Sequence, residues 1–278
     1  MDFYHTQYSE LSNSEVNELY RSDTWSGLFL DDKLDALQEL ENRIAKELGN
    51  QPFEVRHENI NGAQYGYYSN GQLTVNANLV NTGILRYEDV EGHTREFVLD
   101  GVNAQMMDTI IHGNYRAYQD DVINERLEHE NQIETVLWRA NYDGDMIIEN
   151  GILYRVQALE RTANQQAETQ TKMIFEGIEE KYGEDSGYQE YLSSIKINSY
   201  ENALETAKEI YDDENIQEVL DNYMLTGYQK DRVFDSVVEF TISFSNPTED
   251  VTAGNHEIVS SSLDESSSSY CCSDSNSL

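Results

Sequence analysis

The chain has 278 residues, and its 53 acidic and 18 basic side chains give a formal net charge of −35. A surface so acidic repels phosphate, which disfavours direct binding to nucleic acid. No stretch reaches the roughly 18 consecutive apolar residues of a membrane span, yet hydrophobic residues at 38% suffice for a folded core. The charge itself leaves two explanations open: a solubilising surface, or a surface that docks on a basic groove that normally holds DNA or RNA.

Two further properties concern the compartment. The first ten residues, MDFYHTQYSE, carry neither a basic region nor an apolar one, so a secretory signal is not expected and the predicted location is the cytoplasm. The two cysteines, Cys271 and Cys272, are adjacent in a serine-rich tail, which is no disulfide framework.

The first elements along the chain are helical. Ser12 and Glu15 have the spacing of a capping box, which predicts a short first helix. A second helix is predicted over residues 32–48, because Leu34, Leu37 and Leu40 recur at helical spacing and Gly49 follows as a stop signal.

A β-rich stretch follows, with strands expected at residues 53–56, 64–68, 72–79 and 95–99. Asn70-Gly71 separates the middle two and is a hairpin signal, because both residue types tolerate positive φ. Tyr65, Tyr67 and Tyr68 lie on the first strand of this hairpin. They are a possible binding surface, although tyrosines in a strand more often pack on a core.

Helical periodicity then returns. A helix is predicted over residues 104–124, with Met107, Ile110, Ile111, Tyr115 and Tyr118 along one side, and a long helix over residues 152–182. Further helices are expected at 188–193, 199–212 and 216–223, and a closing strand at 234–244. The sequence thus predicts a single α+β domain over residues 1–245 and a disordered, acidic, serine-rich tail over residues 246–278.

The helix over residues 104–124 contains the motif that bears on function. A zinc hydrolase of the H-E-x-x-H class places two His ligands one helical turn apart and a general base beside the first. Here His112 stands at the first ligand position, Gly113 at the base position and Arg116 at the second ligand position. Glycine cannot accept a proton, and a guanidinium cannot ligate zinc.

The sequence around His112 resembles a known family. The segments TIIHGNYRAYQDDVIN, YGYYSNGQLTVNANLV and YRVQALERTANQQAE resemble the metal-binding helix, the edge strand and the third-ligand helix of zincin-like metallopeptidase domains in bacterial toxin-like and mobile-element proteins. The resemblance covers residues 12–193. It implies a zincin-like fold, mostly helical, with a small antiparallel or mixed sheet packed on the metal-site helix. It also implies that His112 matches the first ligand and Glu160 the third.

The residues that do not match the family indicate a degenerate metal site, with His112, Gly113, Arg116 and Glu160 as its remnants. No bound metal and no cofactor are therefore expected, and an ion pair between Glu160 and Arg116 is predicted in place of the metal cross-link between the two helices. The alternative, in which both side chains are solvated, stays open.

Three functions are compatible with the sequence. The first is a non-catalytic pseudoenzyme that inhibits a basic nucleic-acid-handling or defence protein of a bacterial host, as an anti-defence protein of a phage or other mobile element would. The second is a zinc-dependent metallopeptidase with unusual ligands, such as His112, Glu160 and either Asp108 or Asp120. The third is a structural protein of a mobile element that is acidic for solubility alone. Only the second would require zinc, and none of them involves a membrane.

Overall fold

The structure is a computed structural model that describes residues 3–60, 64–69, 71–88, 92–142, 152–231 and 269–273. Most of these residues are helical, and the strands form one four-stranded mixed sheet and one two-stranded antiparallel sheet. The predicted α+β class is therefore confirmed. Among the described helices, none is both long enough and apolar enough to cross a bilayer.

The N-terminal part begins with three helices: α1 (Asn13–Glu18), α2 (Ser22–Gly27) and α3 (Leu30–Leu48). The predicted capping box is present, because the Ser12 hydroxyl accepts from the backbone N–H of Glu15 while the Glu15 carboxylate accepts from the backbone N–H of Ser12. Helix α3 ends at Gly49, whose φ of 81° is left-handed, as expected for a glycine stop.

The larger sheet is formed by β1 (Val55–Glu58), β2 (Gln64–Ser69) and β3 (Gln72–Asn76), together with a strand from the C-terminal tail. Strands β2 and β3 form the predicted antiparallel hairpin, and β1 pairs in parallel with β3. A strand was predicted over residues 72–79, but β3 is shorter and ends at Asn76. The next residues form helix α4 (Ala77–Thr82), which buries Ala77, Leu79 and Val80.

The smaller sheet contains β4 (Ile84–Glu88) and β5 (Thr94–Val98). The fourth strand of the larger sheet is β6 (Ser269–Ser273), which contains Cys271 and Cys272 and pairs antiparallel with β2. For these five residues the structure differs from the predicted disorder, because the edge of β2 offers backbone hydrogen-bonding groups that a local sequence pattern does not reveal. The rest of the tail, and the strand predicted at 234–244, lie outside the described residues.

The central element is helix α5 (Val102–Ile123). It packs against α3, α4 and β2, and against the later helices α6 (Gln132–Tyr142), α8 (Ala158–Tyr182) and α9 (Ser186–Asn198). The sequence predicted an apolar side for this helix, and in the structure nearly all of its residues are buried. Met107, Ile110, Ile111 and Tyr115 are among them, and the polar side chains are buried as well, because other elements surround the helix and these side chains face neighbouring elements instead of water.

The helix predicted over residues 152–182 is two helices, α7 (Ile152–Val156) and α8, separated by Gln157 in an extended conformation. Asn141 of α6 explains the break. Its side-chain oxygen accepts from the backbone N–H of Leu159, and its amide group donates to Gln157, so α6 caps the first turn of α8. Helices α10 (Tyr200–Tyr211) and α11 (Ile216–Asp231) complete the described helices.

Two apolar clusters flank the middle of α5. One packs the first half of α5 against α3, the larger sheet, the second half of α8 and α9, with Ile110, Ile111 and Phe175 among its members. The other packs the second half of α5 against α6, the start of α8, α10 and α11, with Tyr115 and Trp138 among its members. His112 and Arg116 occupy the turn of α5 where one cluster gives way to the other.

Candidate functional site

His112, Arg116 and Glu160 meet where the middle of α5 packs against the first turn of α8. Nε2 of His112 lies 3.4 Å from Oε2 of Glu160, and Nε of Arg116 lies 3.4 Å from Oε1 of the same carboxylate. The three residues are only 5%, 2% and 3% exposed. The predicted ion pair between Arg116 and Glu160 is confirmed, and its solvated alternative is wrong.

The environment of Glu160 favours its ionised form. Burial by itself would raise the pKa of this carboxyl group, but the charge of Arg116 and the hydrogen bonds from His112 and Tyr154 lower the pKa below its usual value. Glu160 is also the third residue of α8, where the partial positive charge of the helix N-terminus stabilises a carboxylate. The carboxylate is thus balanced by groups of the protein itself.

A hydrogen-bond chain holds Arg116 in place. Nη1 of Arg116 donates to Oε1 of Gln119 over 2.8 Å, and Nε2 of Gln119 donates to Oγ1 of Thr162 over 2.6 Å and to the backbone oxygen of Leu159 over 3.1 Å. Nε1 of Trp138 donates to the same Thr162 hydroxyl over 3.1 Å. The chain therefore fixes the guanidinium relative to α6 and α8.

Sequence reasoning missed this supporting chain. Gln119 and Thr162 stand in the segments that resemble the metal-binding and third-ligand helices, but no motif assigns a role to either of them or to Trp138. One signal was available: Gln119 follows Arg116 by three residues, so the two side chains lie on the same face of the helix. The partners on α6 and α8 have no counterpart in local spacing.

Gly113, at the position that the general base has in the H-E-x-x-H motif, is packed against the sheet. A Cβ atom at this residue would lie 3.1 Å from both terminal methyl carbons of Leu73 on β3. The close approach explains why a glycine is tolerated in the middle of a long helix, where it costs about 1 kcal/mol relative to alanine. Leu73 thus occupies the space in which a base at position 113 would begin.

Next to the ion pair lies a second carboxyl group, that of Asp120, one turn after Arg116. Burial raises the pKa of Asp120 to about 6, although Arg116 acts to lower it and Tyr68 donates a hydrogen bond to it. Asp108, the other carboxylate considered as a zinc ligand, accepts a 2.6 Å hydrogen bond from the hydroxyl of Tyr191 on α9. Each of these carboxyl groups is therefore engaged with another side chain.

The residues present do not fit a zinc ion of the H-E-x-x-H type. Both oxygens of Glu160 face cationic or imidazole groups of α5, and Arg116 lies where a second His ligand would stand. Within the described ranges, no three or more His, Cys, Asp or Glu side chains are grouped so that they could hold a metal ion. The cross-link between α5 and α8 is an ion pair.

The other residues singled out from the sequence lie elsewhere. Tyr65 and Tyr68 are buried and Tyr67 donates to Glu58 over 2.8 Å, so these three tyrosines do not form one exposed surface. Tyr68 lies on the face of β2 that α5 covers, and it donates a hydrogen bond to Asp120 of that helix. His129 contacts Tyr118 and Glu134 and packs on the Trp138 ring, apart from the ion pair.

Comparisons of the chain with protein-family models, with curated proteins and with solved structures give no match. The resemblance to zincin-like domains stays a prediction, and the arrangement of the buried residues is the basis for a functional proposal.

Proposed function

We propose that the chain is a non-catalytic, strongly acidic binding protein on a degenerate zincin-like metallopeptidase scaffold. Its target would be a basic nucleic-acid-handling or defence protein of a bacterial host, which it inhibits in the cytoplasm. The observation that carries the non-catalytic part is the position of Arg116. Its guanidinium shares the Glu160 carboxylate with His112, so the chain supplies its own cation where the family would use zinc.

Two physical arguments support this part of the proposal. A zinc ion at this position would have to displace a buried guanidinium, which would leave an uncompensated positive charge beside the metal. Restoring a base at Gly113 would also press its side chain against Leu73. The site is therefore better suited to hold two helices together than to activate a water molecule.

The partner is inferred from charge. An excess of 35 negative charges disfavours DNA, RNA and anionic lipid as direct ligands, and it favours a basic protein surface, to which oppositely charged patches steer association. A protein whose basic groove normally holds nucleic acid has the required charge. Inhibition then follows by occupation of that groove.

Metal content tests the non-catalytic part. The purified chain is incubated with zinc, dialysed and measured by plasma mass spectrometry, together with His112→Ala and with His129→Ala as a matched control outside the ion pair. We expect less than one zinc per ten chains in all three. One zinc per chain that is lost in His112→Ala and kept in His129→Ala would overturn this part of the proposal.

Affinity capture tests the binding part. The tagged chain is incubated with bacterial lysate, and captured proteins are released by a salt step from 50 to 200 mM and by an excess of competing duplex DNA. We expect one basic nucleic-acid-binding protein that both treatments release, because screening and competition act on the same contacts. Recovery of the chain alone as a self-assembly would contradict inhibition and favour a structural role.

A further inference from the structure

Strand β5 has one edge with which no other described strand pairs. Strands β4 and β5 form a sheet of two strands, and no third strand of the described ranges joins it. All five residues of β5 are exposed, and the apolar Phe97 and Val98 are 55% and 60% exposed. A sheet of two strands is only marginally stable by itself, and an exposed edge strand is a template for pairing with a further strand.

The register of the sheet decides which backbone groups this edge presents. The backbone N–H of Leu99 donates to the backbone oxygen of Gly83 over 2.7 Å, so these two residues form a hydrogen-bonded pair. In an antiparallel ladder, such pairs alternate with pairs that exchange no hydrogen bonds. Val98 stands next to Leu99, and Glu96 and Thr94 follow at intervals of two. The N–H and C=O groups of these three residues therefore point away from β4, along the open edge.

The two strands carry balanced charge, unlike the chain as a whole. Within β4 and β5 the sequence has two arginines and two glutamates, whereas the whole chain has 53 acidic and 18 basic side chains. Nε of Arg86 on β4 lies 2.8 Å from Oε1 of Glu96 on β5. Two copies of the chain can therefore approach through β5 with less repulsion than through an acidic part of the surface.

We propose that two copies of the chain form a dimer by antiparallel pairing of β5 with β5 of the second copy. Pairing over the full strand places Glu96 opposite Glu96 of the second copy, at the twofold axis, and Thr94 opposite Val98. The outward N–H and C=O groups of these residues then exchange hydrogen bonds across the edge. Two sheets of two strands become one sheet of four strands, which is enough for a stable sheet.

The side chains on the other face of β5 also match in this register. Arg95 of one copy faces Phe97 of the other, and the reverse pair follows from the twofold symmetry. Opposed residues of such a pair have Cβ atoms about 4.5–5.5 Å apart, which lets a guanidinium contact an aromatic ring. At the axis, each Glu96 carboxylate is accompanied by Arg86 of its own copy. Strand β5 is therefore complementary to itself.

A second copy fits this edge better than a basic segment of a partner protein. Such a segment would add positive charge to strands whose charges already balance, so it would gain little electrostatic attraction there. With five residues from each copy, the contact is far smaller than a standard interface of about 20–30 residues a side. We therefore expect a weak dimer, with a Kd of about 10–100 µM. The inference is separate from the proposed function, because affinity capture at lower concentration leaves such a dimer dissociated.

Sedimentation velocity of the full-length chain tests the dimer. The chain is measured between about 1 and 300 µM, in 50 mM and in 300 mM salt. We expect the dimer to be at least about threefold tighter at the higher salt, because salt screens the repulsion between two strongly acidic chains. Binding of a basic partner weakens with salt, so the two kinds of contact have opposite signatures.

Two variants at one residue separate the backbone contact from the side chain. Glu96→Pro removes an outward N–H group that the pairing with β4 does not use, whereas Glu96→Ala removes the same carboxylate and keeps the N–H group. Phe97→Ser tests the opposite face, and Phe29→Ser is its matched control, on a phenylalanine that is 82% exposed. Circular dichroism and the melting temperature show whether each variant folds.

We expect Glu96→Pro to stay monomeric up to about 300 µM, because it cannot complete the ladder at the twofold axis. Phe97→Ser should dimerise at least about fivefold more weakly, since buried aromatic side chains carry much of the affinity at an interface. Glu96→Ala and Phe29→Ser should dimerise within about threefold of the unmodified chain.

Amide hydrogen exchange followed by NMR gives a readout on the unmodified chain, so the proposal stays testable if Glu96→Pro does not fold. Protection of the Glu96 and Val98 amides should rise with chain concentration. The Arg95 and Phe97 amides point towards β4 and should be protected at every concentration.

A chain that stays monomeric at 300 µM in both salts would overturn the dimer, and so would a dimer that Glu96→Pro and Phe97→Ser leave unchanged. Concentration-dependent protection that spares the outward amides of β5 would also contradict it. If the chain stays monomeric and Glu96→Pro no longer captures the basic protein from lysate, the edge binds that partner instead of a second copy. A monomeric chain that still captures the basic protein leaves the proposed function unchanged.

Discussion

The ion pair between Arg116 and Glu160 makes a quantitative prediction. With 3.4 Å between the charged atoms and an effective dielectric constant of about 20, their attraction is about 5 kcal/mol. Replacing Glu160 with Met leaves the guanidinium buried without its counterion, and replacing Arg116 with Met leaves the buried carboxylate with only the hydrogen bonds from His112 and Tyr154. We therefore expect Arg116→Met and Glu160→Met each to lower the free energy of unfolding by about 3–5 kcal/mol.

The double variant should be much less destabilised than the sum of the two single variants. Both charges are then absent, and the main remaining losses are the hydrogen bonds from Arg116 to Gln119 and from His112 and Tyr154 to Glu160, each worth about 1 kcal/mol. The coupling energy from the double-mutant cycle should exceed about 3 kcal/mol. If a single variant does not fold, recovery of the fold in the double variant reports the same coupling.

Urea unfolding followed by circular dichroism measures each free energy, and an exposed ion pair provides the matched control. Nε of Arg86 lies 2.8 Å from Oε1 of Glu96 on the smaller sheet, and both side chains are more than half exposed. The same cycle there should give a coupling below about 1 kcal/mol. Equal coupling in the two cycles would refute the role assigned to the buried pair.

Three further predictions concern stability and the tail. Gly177→Ala, in an open part of α8, should stabilise the chain by about 1 kcal/mol. Gly113→Ala should not stabilise it, because the new methyl group meets Leu73, and thermal melts measure the melting temperature of both variants. Burial raises the pKa of Glu41 to about 8, so the folded chain holds this proton more tightly than the unfolded chain, whose pKa is about 4.3. The resulting stabilisation is complete below about pH 4.3 and is lost as pH rises to about 8. In urea titrations the free energy of unfolding of the unmodified chain should therefore fall by up to about 5 kcal/mol over that window, and Glu41→Gln should remove this fall. A pH profile that is the same in the variant would count against the buried carboxyl. Deletion of residues 246–278 should speed amide hydrogen exchange in β2, which loses its pairing with β6; unaltered exchange would argue against that pairing.

Several elements could be predicted because their signals are local. The capping box at Ser12, the Asn70-Gly71 hairpin and the glycine stop at Gly49 each depend on backbone preferences of a few neighbouring residues. The helices predicted at residues 32–48 and 104–124 correspond to α3 and α5 within two residues at each end. Apolar periodicity locates helices well, since it reports which residues face a core.

Other features required the tertiary structure. The break at Gln157 is stabilised by Asn141, 16 residues earlier, so the sequence of the long helix alone does not contain its cause. Helix α5 is buried on nearly every side because other elements pack around it, and its buried polar residues contact several of those elements. Tyr65 and Tyr68 likewise are covered by packing that strand periodicity does not specify.

The sequence by itself determined which residues of the candidate site lack metal and acid–base chemistry, because Gly113 and Arg116 differ in kind from a base and a ligand. It also supplied the candidate partner of Arg116, through the resemblance that singled out Glu160. Only the tertiary structure decided that the two form a buried pair beside His112, that Gln119, Thr162 and Trp138 hold the guanidinium, and that Leu73 fills the space at Gly113. Side-chain chemistry can be read residue by residue, whereas burial and pairing depend on segments distant in the chain that meet only when it folds.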